Sequence, residues 1–384
     1  MTSARERLRR SVGGFVASAG AGFARPATRM LLLSDGREYT SEQQFAPIWR
    51  HRARLRRDLG LAVDWRPLEG QGQSVGHGLS GYDVIGLKLS FRCSAAEVLD
   101  LVRRVREALG PGSPTRLVYF DGDDDSAVLW PELVERVDLY VKKHLFADLT
   151  DYRRAFVGKS NLTDHAARIA GLSFADDIIP IGQPEPVTTP ARLHLGWNIA
   201  LDDKIAGLPA ISPNTCRDID ICGRVHVSPA NWLGALRAPA IAALESLAGR
   251  WRVAVPRERV SQAAYDAELR AARICVSPFG YGELCWRDFE AIQAGCLLVK
   301  PDVGHICTTP DLFEAGVTYA PVRWDYADLE DVCARYLFDE DARIAIVEEG
   351  QRRLRESLGP GWFVERMRML LAALETAADE TAKK

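Results

Sequence analysis

Short apolar segments alternate with longer stretches of helical spacing along most of this chain, and this alternation limits its fold more than any other feature. RMLLLSDG, TRLVYFDG, VDLYVKKHLF, ARICVSPFG and CLLVKP have the length and composition of strands, and helical patterns such as SAAEVLDLVRRVREALG separate segments of this kind. Strands connected through helices of this length are typical of βαβ units, in which the strands run parallel. The pattern therefore predicts an α/β protein built on parallel sheets.

The domain organisation follows from length and from one interruption of the pattern. The chain has 384 residues, well above the ~250 residues at which a single core usually stops growing. Four prolines between positions 176 and 191 break the alternation, which then restarts. We therefore predict a basic tail at 1–28, an N-terminal domain at 29–180, a linker at 181–192, a C-terminal domain at 193–355 and a C-terminal helix at 356–384.

Charge and cysteine usage exclude several classes of protein. The chain has 49 Lys+Arg and 52 Asp+Glu, a formal net charge of −3, which gives no general reason to expect nucleic-acid binding. No segment approaches the ~18 to 20 apolar residues of a membrane span, and the weakly apolar start predicts at most peripheral membrane contact. The eight cysteines include no CxxC pair, which argues against a zinc ribbon or a disulfide scaffold and favours a reducing cytoplasm.

One segment, SPFGYGELCWRDFEAIQAGCLLVKP, combines several features of a ligand site. A loop with two glycines follows an apolar strand and precedes a helix, whose first N–H groups attract anions. We expect this loop to bind phosphate through Ser277, Gly280, Tyr281 and Gly282.

The helix after this loop predicts a polar face. Glu283, Arg287 and Glu290 are spaced four and then three residues apart, so they are expected to share one outward face. Carboxylates accept hydrogen bonds from vicinal hydroxyls, and an arginine can hold a diphosphate. The alternative is an ordinary exposed ion pair on a helix surface.

The run from Ser277 to Pro301 resembles the donor-binding element of GT-B glycosyltransferases. FEAIQAGCLLVKP is similar to the FEA-x-x-x-G-x-x-x-V form of group 1 transferases and of their spore-coat and exostosin-like relatives. The resemblance implies two Rossmann-like domains that face a central cleft, with the C-terminal helix crossing back to the first domain. It also implies that Glu283 contacts the donor sugar and Glu290 the ribose, although six residues separate these glutamates here and seven in the family.

The same resemblance implies a basic pair that neutralises the leaving diphosphate. Lys204 in LDDKIAG and Arg224 in DICGRVH have the type and place of such a pair, and Lys300 follows the last strand of the motif. A nucleoside diphosphate sugar is then the co-substrate, and no cofactor or metal is expected.

LVYFDGDDDS gives a competing signal, because it resembles the DxD element with which GT-A glycosyltransferases hold a divalent metal. Two separate α/β patterns favour GT-B, so these aspartates are also interpreted as helix caps or as the lining of an acceptor cleft. For an inverting reaction the leading bases are Asp35, Asp121 and His144. A retaining reaction needs no dedicated base.

Taken together, the sequence predicts a cytoplasmic glycosyltransferase of polysaccharide or natural-product biosynthesis. It would move a hexose from a nucleoside diphosphate sugar to a hydroxyl of a glycan, glycolipid or small-molecule acceptor. Two alternatives stay open: a non-catalytic nucleotide-binding protein, and a sugar nucleotide epimerase of the same architecture.

Overall fold

The computed structural model describes residues 27–37, 43–68, 78–172, 186–198, 203–225, 231–256, 258 and 260–382. Most of the predicted basic tail and positions 181–185 of the predicted linker lie outside these ranges. Within the described ranges, no helix combines the length and apolar character needed to cross a membrane.

The strands are β1 (Thr28–Ser34), β2 (Leu61–Pro67), β3 (Val84–Lys88), β4 (Arg116–Asp121), β5 (Leu139–Lys142), β6 (His144–Phe146), β7 (Leu193–Leu195), β8 (Ile219–Cys222), β9 (Val253–Ala254), β10 (Ala272–Val276), β11 (Leu297–Pro301), β12 (Ile306–Thr308) and β13 (Ala320–Val322). The helices are α1 (Ala46–Leu59), α2 (Ala95–Leu109), α3 (Pro131–Val134), α4 (Asn161–Ala170), α5 (Asp203–Ala206), α6 (Asn231–Ser246), α7 (Gln262–Ala271), α8 (Trp286–Gln293), α9 (Leu329–Phe338), α10 (Glu340–Ser357) and α11 (Pro360–Ala382).

Helix α2 shows why the predicted elements form where they do. The Ser94 side chain accepts a hydrogen bond from the Glu97 N–H, and the Glu97 carboxylate returns one to the Ser94 N–H at 2.7 Å. Such a capping box satisfies two donors that the first turn leaves unpaired. The apolar stripe then faces the sheet, with Val98, Leu101, Val102 and Val105 buried.

Two parallel sheets form the frame of the molecule. Sheet 1 has the strand order β2-β1-β3-β4-β5-β7, and sheet 2 has the order β13-β11-β10-β8-β9. Every pair of neighbouring strands within them is parallel. This confirms the predicted α/β class with two parallel sheets.

The first sheet extends past the segment predicted as a linker. β7 pairs with β5 in the register Tyr140↔Leu193 to Lys142↔Leu195, so it is the edge strand of sheet 1. The sequence places 193 in the C-terminal domain because a three-residue strand leaves no readable pattern.

A two-stranded ribbon joins the two halves. β6 comes directly after β5 of sheet 1, and β12 comes after β11 of sheet 2. The two strands pair antiparallel from His144↔Thr308 to Phe146↔Ile306. The sequence predicts VDLYVKKHLF as one strand, whereas the structure divides it at Lys143 into β5 and β6. Backbone hydrogen bonds therefore hold the halves together beside the site described below.

The C-terminal helix α11 packs on the N-terminal half. Its apolar side chains share a core with residues of β1, β4 and α1, and the Arg366 guanidinium donates to the Leu195 carbonyl. The buried members from α11 are Phe363, Val364, Met367, Leu370 and Leu374.

His194 on β7 predicts a pH dependence of stability. Burial, together with the nearby charge of Arg366, lowers the pKa of His194 from 6.5 to about 4. Because the unfolded chain takes up this proton first, the stabilisation present above pH 6.5 is lost as the pH falls toward 4. We expect the unfolding midpoint of His194→Gln, measured by urea titration, to fall less between pH 7 and pH 4.5 than that of the unmodified chain. Parallel curves would contradict this assignment.

Candidate functional site

The glycine loop, residues 277–282, lies at the carboxyl end of β10, where open parallel sheets bind ligands. Ser277 is fully buried at its start, and Tyr281 is 42% exposed near its end. A Cβ atom added to Gly282 would lie 1.5 Å from the Asp124 carbonyl oxygen, whereas one on Gly280 would meet only ordinary contacts. Gly282 is thus the position where the loop touches the N-terminal half.

Arg287 fastens this loop, although the sequence predicts that it points outward to a ligand. Its guanidinium donates to the Ser277 hydroxyl at 2.9 Å, to the Pro278 carbonyl at 3.0 Å and to the Arg224 carbonyl at 2.7 Å. These bonds join the segments that follow β8 and β10. The shared outward face does not form, because α8 begins only at Trp286 and Glu283 therefore lies ahead of the helix.

Lys300 is also part of the framework rather than a side chain at an open edge. It is 1% exposed, and its ammonium group donates to the Glu283 carbonyl at 2.6 Å and to Asp288 at 2.7 Å. Asp288 in turn accepts from the Ser277 hydroxyl and, at 3.0 Å, from the N–H of Cys285, the N-cap residue of α8. These bonds hold the buried ammonium group within the framework that orients the loop.

Arg237 on α6 is the site residue that sequence reasoning missed. Its guanidinium donates to the Phe279 carbonyl at 3.1 Å, so it lies against the glycine loop. Burial and the neighbouring charge of Arg287 lower the pKa of Arg237 to about 10. No local motif marks this arginine, because only the packing of α6 brings it to the loop.

The predicted residues Lys204 and Glu290 meet each other. Their side chains form an ion pair at 2.6 Å, and the Lys204 ammonium lies 4.8 Å from the centre of the Trp286 ring. Glu290 is 5% exposed, while the Lys204 side chain is 36% exposed. Arg224, by contrast, pairs with Glu268 on α7 and donates to the Glu258 carbonyl, so it does not join Lys204 as the expected basic pair.

Glu283 lies at the contact between the two halves. It is fully buried, with its carboxylate bonded to the Ser126 hydroxyl and 3.2 Å from His144 Nε2, both from the N-terminal half. His305 Nε2 approaches the same carboxylate at 3.5 Å. Direct contact of Glu283 with a donor sugar, as the resemblance implies, would require displacing these groups.

The surroundings of Glu283 and His144 shift the pKa values of both side chains. Burial disfavours the charged form of Glu283, but hydrogen bonds from His144 and His305 outweigh it and hold its pKa well below the ordinary value. Burial lowers the pKa of His144 despite its bond to Glu283. The cluster therefore places a carboxylate between two imidazoles at the interface.

Each aspartate of the aspartate loop, residues 121–125, faces a lysine. The pairs are Asp121–Lys142 at 2.9 Å, Asp123–Lys88 at 3.1 Å, Asp124–Lys143 at 2.8 Å and Asp125–Lys159 at 2.9 Å. Within the described ranges, no group of three or more His, Cys, Asp or Glu side chains is arranged to hold a metal ion.

The three bases suggested by the sequence are all engaged with protein groups. Asp121 is 1% exposed and binds Lys142 and the Tyr140 hydroxyl, and His144 is fully buried. Asp35 accepts from the Ser90 N–H at 2.8 Å, which ties the ends of β1 and β3 together. A base must reach the proton that it removes, and these positions face the interior.

The structure contains two parallel α/β units of Rossmann type that contact each other through loops at their strand ends, which is the arrangement that the resemblance to GT-B proteins implies. No family model matches the chain, and no curated protein matches it.

Several solved structures are similar in outline. HepE from Anabaena in complex with UDP-glucose is 12% identical, over 93% of this chain and 100% of that chain, with a TM-score of 0.41. An alpha-glucosyltransferase in complex with UDP and a 13-mer DNA is 10% identical over 91% and 99% of the two chains, with a TM-score of 0.46. A glycosyltransferase from Rickettsia africae is 9% identical over 92% and 99%, also with a TM-score of 0.46. The likeness is distant, and the ligands named belong to those proteins.

Proposed function

We propose that this protein is a glycosyltransferase that moves a sugar from a nucleoside diphosphate sugar to a hydroxyl of a glycan, glycolipid or natural-product acceptor. The observation that carries the proposal is the pair of guanidinium groups, Arg237 and Arg287, against the glycine loop at the carboxyl end of β10. The low pKa of Arg237 reflects two like charges in a buried place. A diphosphate bound beside them would remove that unfavourable interaction.

The remaining residues then have distinct roles. As the nucleoside diphosphate leaves, negative charge develops on its oxygens. Arg237 and the N–H groups of the glycine loop stabilise this charge, while Arg287 holds the loop in place. Glu290 binds the ribose hydroxyls, with Lys204 beside it at the diphosphate. All eight cysteines are free of disulfides, which supports a reducing cytoplasm as the site of action.

A thermal-shift screen with UDP-, GDP-, dTDP- and CMP-sugars tests this proposal. A ligand present at about 100 times its dissociation constant adds roughly 2.7 kcal/mol to the free energy of unfolding. The nucleotide sugar that binds is then incubated with and without a mixture of sugar acceptors, and the released nucleotide is measured. Absence of any shift, or epimerisation of the donor without acceptor, would contradict the proposal.

Replacement of Arg237 provides the matching prediction for the site. Hydrogen bonds to charged groups contribute about 1.5 to 3 kcal/mol, so Arg237→Ala should weaken the binding of the nucleotide sugar by roughly 10- to 150-fold in calorimetry. Arg250→Ala is the control, because Arg250 follows the same helix but is exposed and pairs with Glu330. If the two variants bind the nucleotide sugar with equal affinity, Arg237 is not part of the binding site.

A further inference from the structure

A cavity of about 320 Å³ lies between α4 and the segments that follow β11 and β13. Its lining includes Asn161, His165, Asp302, His305 and Trp324. This volume is at the lower end of the range for small-molecule sites, about 300 to 1,000 Å³. We call it the Trp324 cavity.

His305, which lies beside Glu283 at the contact between the two halves, also lines this cavity. Its side chain is 27% exposed, whereas His144 and Glu283 are fully buried. Its Nε2 atom lies 3.5 Å from the Glu283 carboxylate and 3.1 Å from the Asn161 amide. A buried carboxylate behind an accessible imidazole stabilises the imidazolium that forms when the ring takes a proton at its other nitrogen. Nδ1 can accept a proton only when Nε2 carries the ring hydrogen, so this chemistry requires the Asn161 amide to be turned with its oxygen, rather than its nitrogen, toward Nε2, while Nε2–H faces the Glu283 carboxylate.

Trp324 connects the cavity with the glycine loop. Its ring lies 4.8 Å from His165, 5.3 Å from His305 and 4.9 Å from Phe279, measured between ring centres. Phe279 belongs to the glycine loop, and its carbonyl accepts the bond from Arg237. The contact between the rings of Trp324 and Phe279 therefore links the cavity to the proposed diphosphate site.

An apolar groove of about 1,160 Å³ continues from the cavity between α4 and α6. The groove and the cavity share His165, Asp302 and Trp324. The groove is lined mostly by small and apolar side chains, including Ile169, Ala235, Leu236, Ala238, Pro239 and Ala242. A ligand whose polar ring fills the cavity would extend along this apolar surface.

We propose that the Trp324 cavity and the α4–α6 groove form the acceptor site for an amphiphilic glycoside, and that His305 is the catalytic base. The proposal rests on the proposed function, since the donor is a nucleoside diphosphate sugar. The acceptor O–H bond breaks and its proton moves to His305 Nδ1, while the oxygen forms a bond to the anomeric carbon. The electron pair of the old carbon–oxygen bond leaves with the nucleoside diphosphate, and this single displacement inverts the anomeric configuration.

The catalytic part is tested with His305→Gln, using the nucleotide sugar selected by the screen and octyl β-glucoside below its micelle concentration. A positioned base contributes about 10²- to 10⁴-fold, so kcat should fall by that factor while the nucleotide-sugar thermal shift is retained. His51→Gln on α1, which packs against Phe363 away from this site, is the control with unchanged kcat. A kcat within about threefold of the unmodified chain, or a product with retained configuration by NMR, would overturn the role of His305. Because the nucleotide-sugar shift is measured separately, either result leaves the proposed function standing.

The binding part needs no donor. Octyl β-glucoside should bind the full chain at least tenfold more tightly than methyl β-glucoside in NMR titrations. Ile169→Glu places a charge at the groove and should abolish this preference, and it is 53% exposed, so folding is not at risk. Val157→Glu, at a 45% exposed position outside the groove lining, should retain the preference. Equal binding of the two glycosides, or equal effects of the two variants, would overturn the acceptor site.

Discussion

Lys142→Met should destabilise the protein by about 3 to 5 kcal/mol, because it leaves a buried charge without its partner. Lys142 is fully buried and pairs with Asp121 at 2.9 Å, while also donating to the Ala127 carbonyl at 2.8 Å. Burial opposes the charge of Asp121, but Lys142 and Lys88 hold its pKa to about 2. Urea unfolding at pH 7 measures the loss.

The pH dependence and a double variant identify the cause. With Lys142 removed, the pKa of Asp121 in the folded state rises above its unfolded value, so the folded state takes up a proton first and the loss becomes smaller at pH 4 than at pH 7. Asp121→Asn combined with Lys142→Met removes both charges and should restore more than half of the lost stability. A double variant as unstable as the sum of the two single variants would show that packing, rather than charge, is responsible.

The parts of the fold that could be predicted are those whose pattern is local. β10, the glycine loop and β11 are each readable within a few residues, as apolar runs separated by glycines and a helical stretch. β7 has only three residues and the β6–β12 ribbon pairs segments more than 150 positions apart. Neither feature has a periodicity that the sequence alone could reveal.

The site was less predictable because its contacts are long-range. The spacing of Glu283 and Arg287 predicts a common face only if the helix includes both. Cys285 is instead the N-cap residue, its N–H donates to the Asp288 carboxylate, and α8 begins after Glu283. Arg237 reaches the loop from a different helix.

The lysines opposite the aspartate loop likewise come from other parts of the chain. Lys88 is the last residue of β3 and Lys142 the last of β5, so the sequence shows the run of aspartates without the lysines that pair with it. Residue type and local spacing identified the glycine loop, whereas the charge partners required the tertiary structure.

Gly282→Ala should separate the two halves, since a Cβ atom there would lie 1.5 Å from the Asp124 carbonyl oxygen and 2.1 Å from its carbon. Backbone atoms cannot rotate away as a side chain does, and overpacking of this kind costs about 1 to 3 kcal/mol or more. The same displacement would move Glu283, the next residue, away from Ser126 and His144. We therefore expect a lower unfolding midpoint, a larger radius of gyration in X-ray scattering, and a loss of sugar transfer greater than the loss of nucleotide-sugar binding. Gly280→Ala is the matched control, because its Cβ would meet the nearest atom at 3.4 Å. Equal behaviour of the two alanine variants would show that the contact at Gly282 does not hold the two halves together.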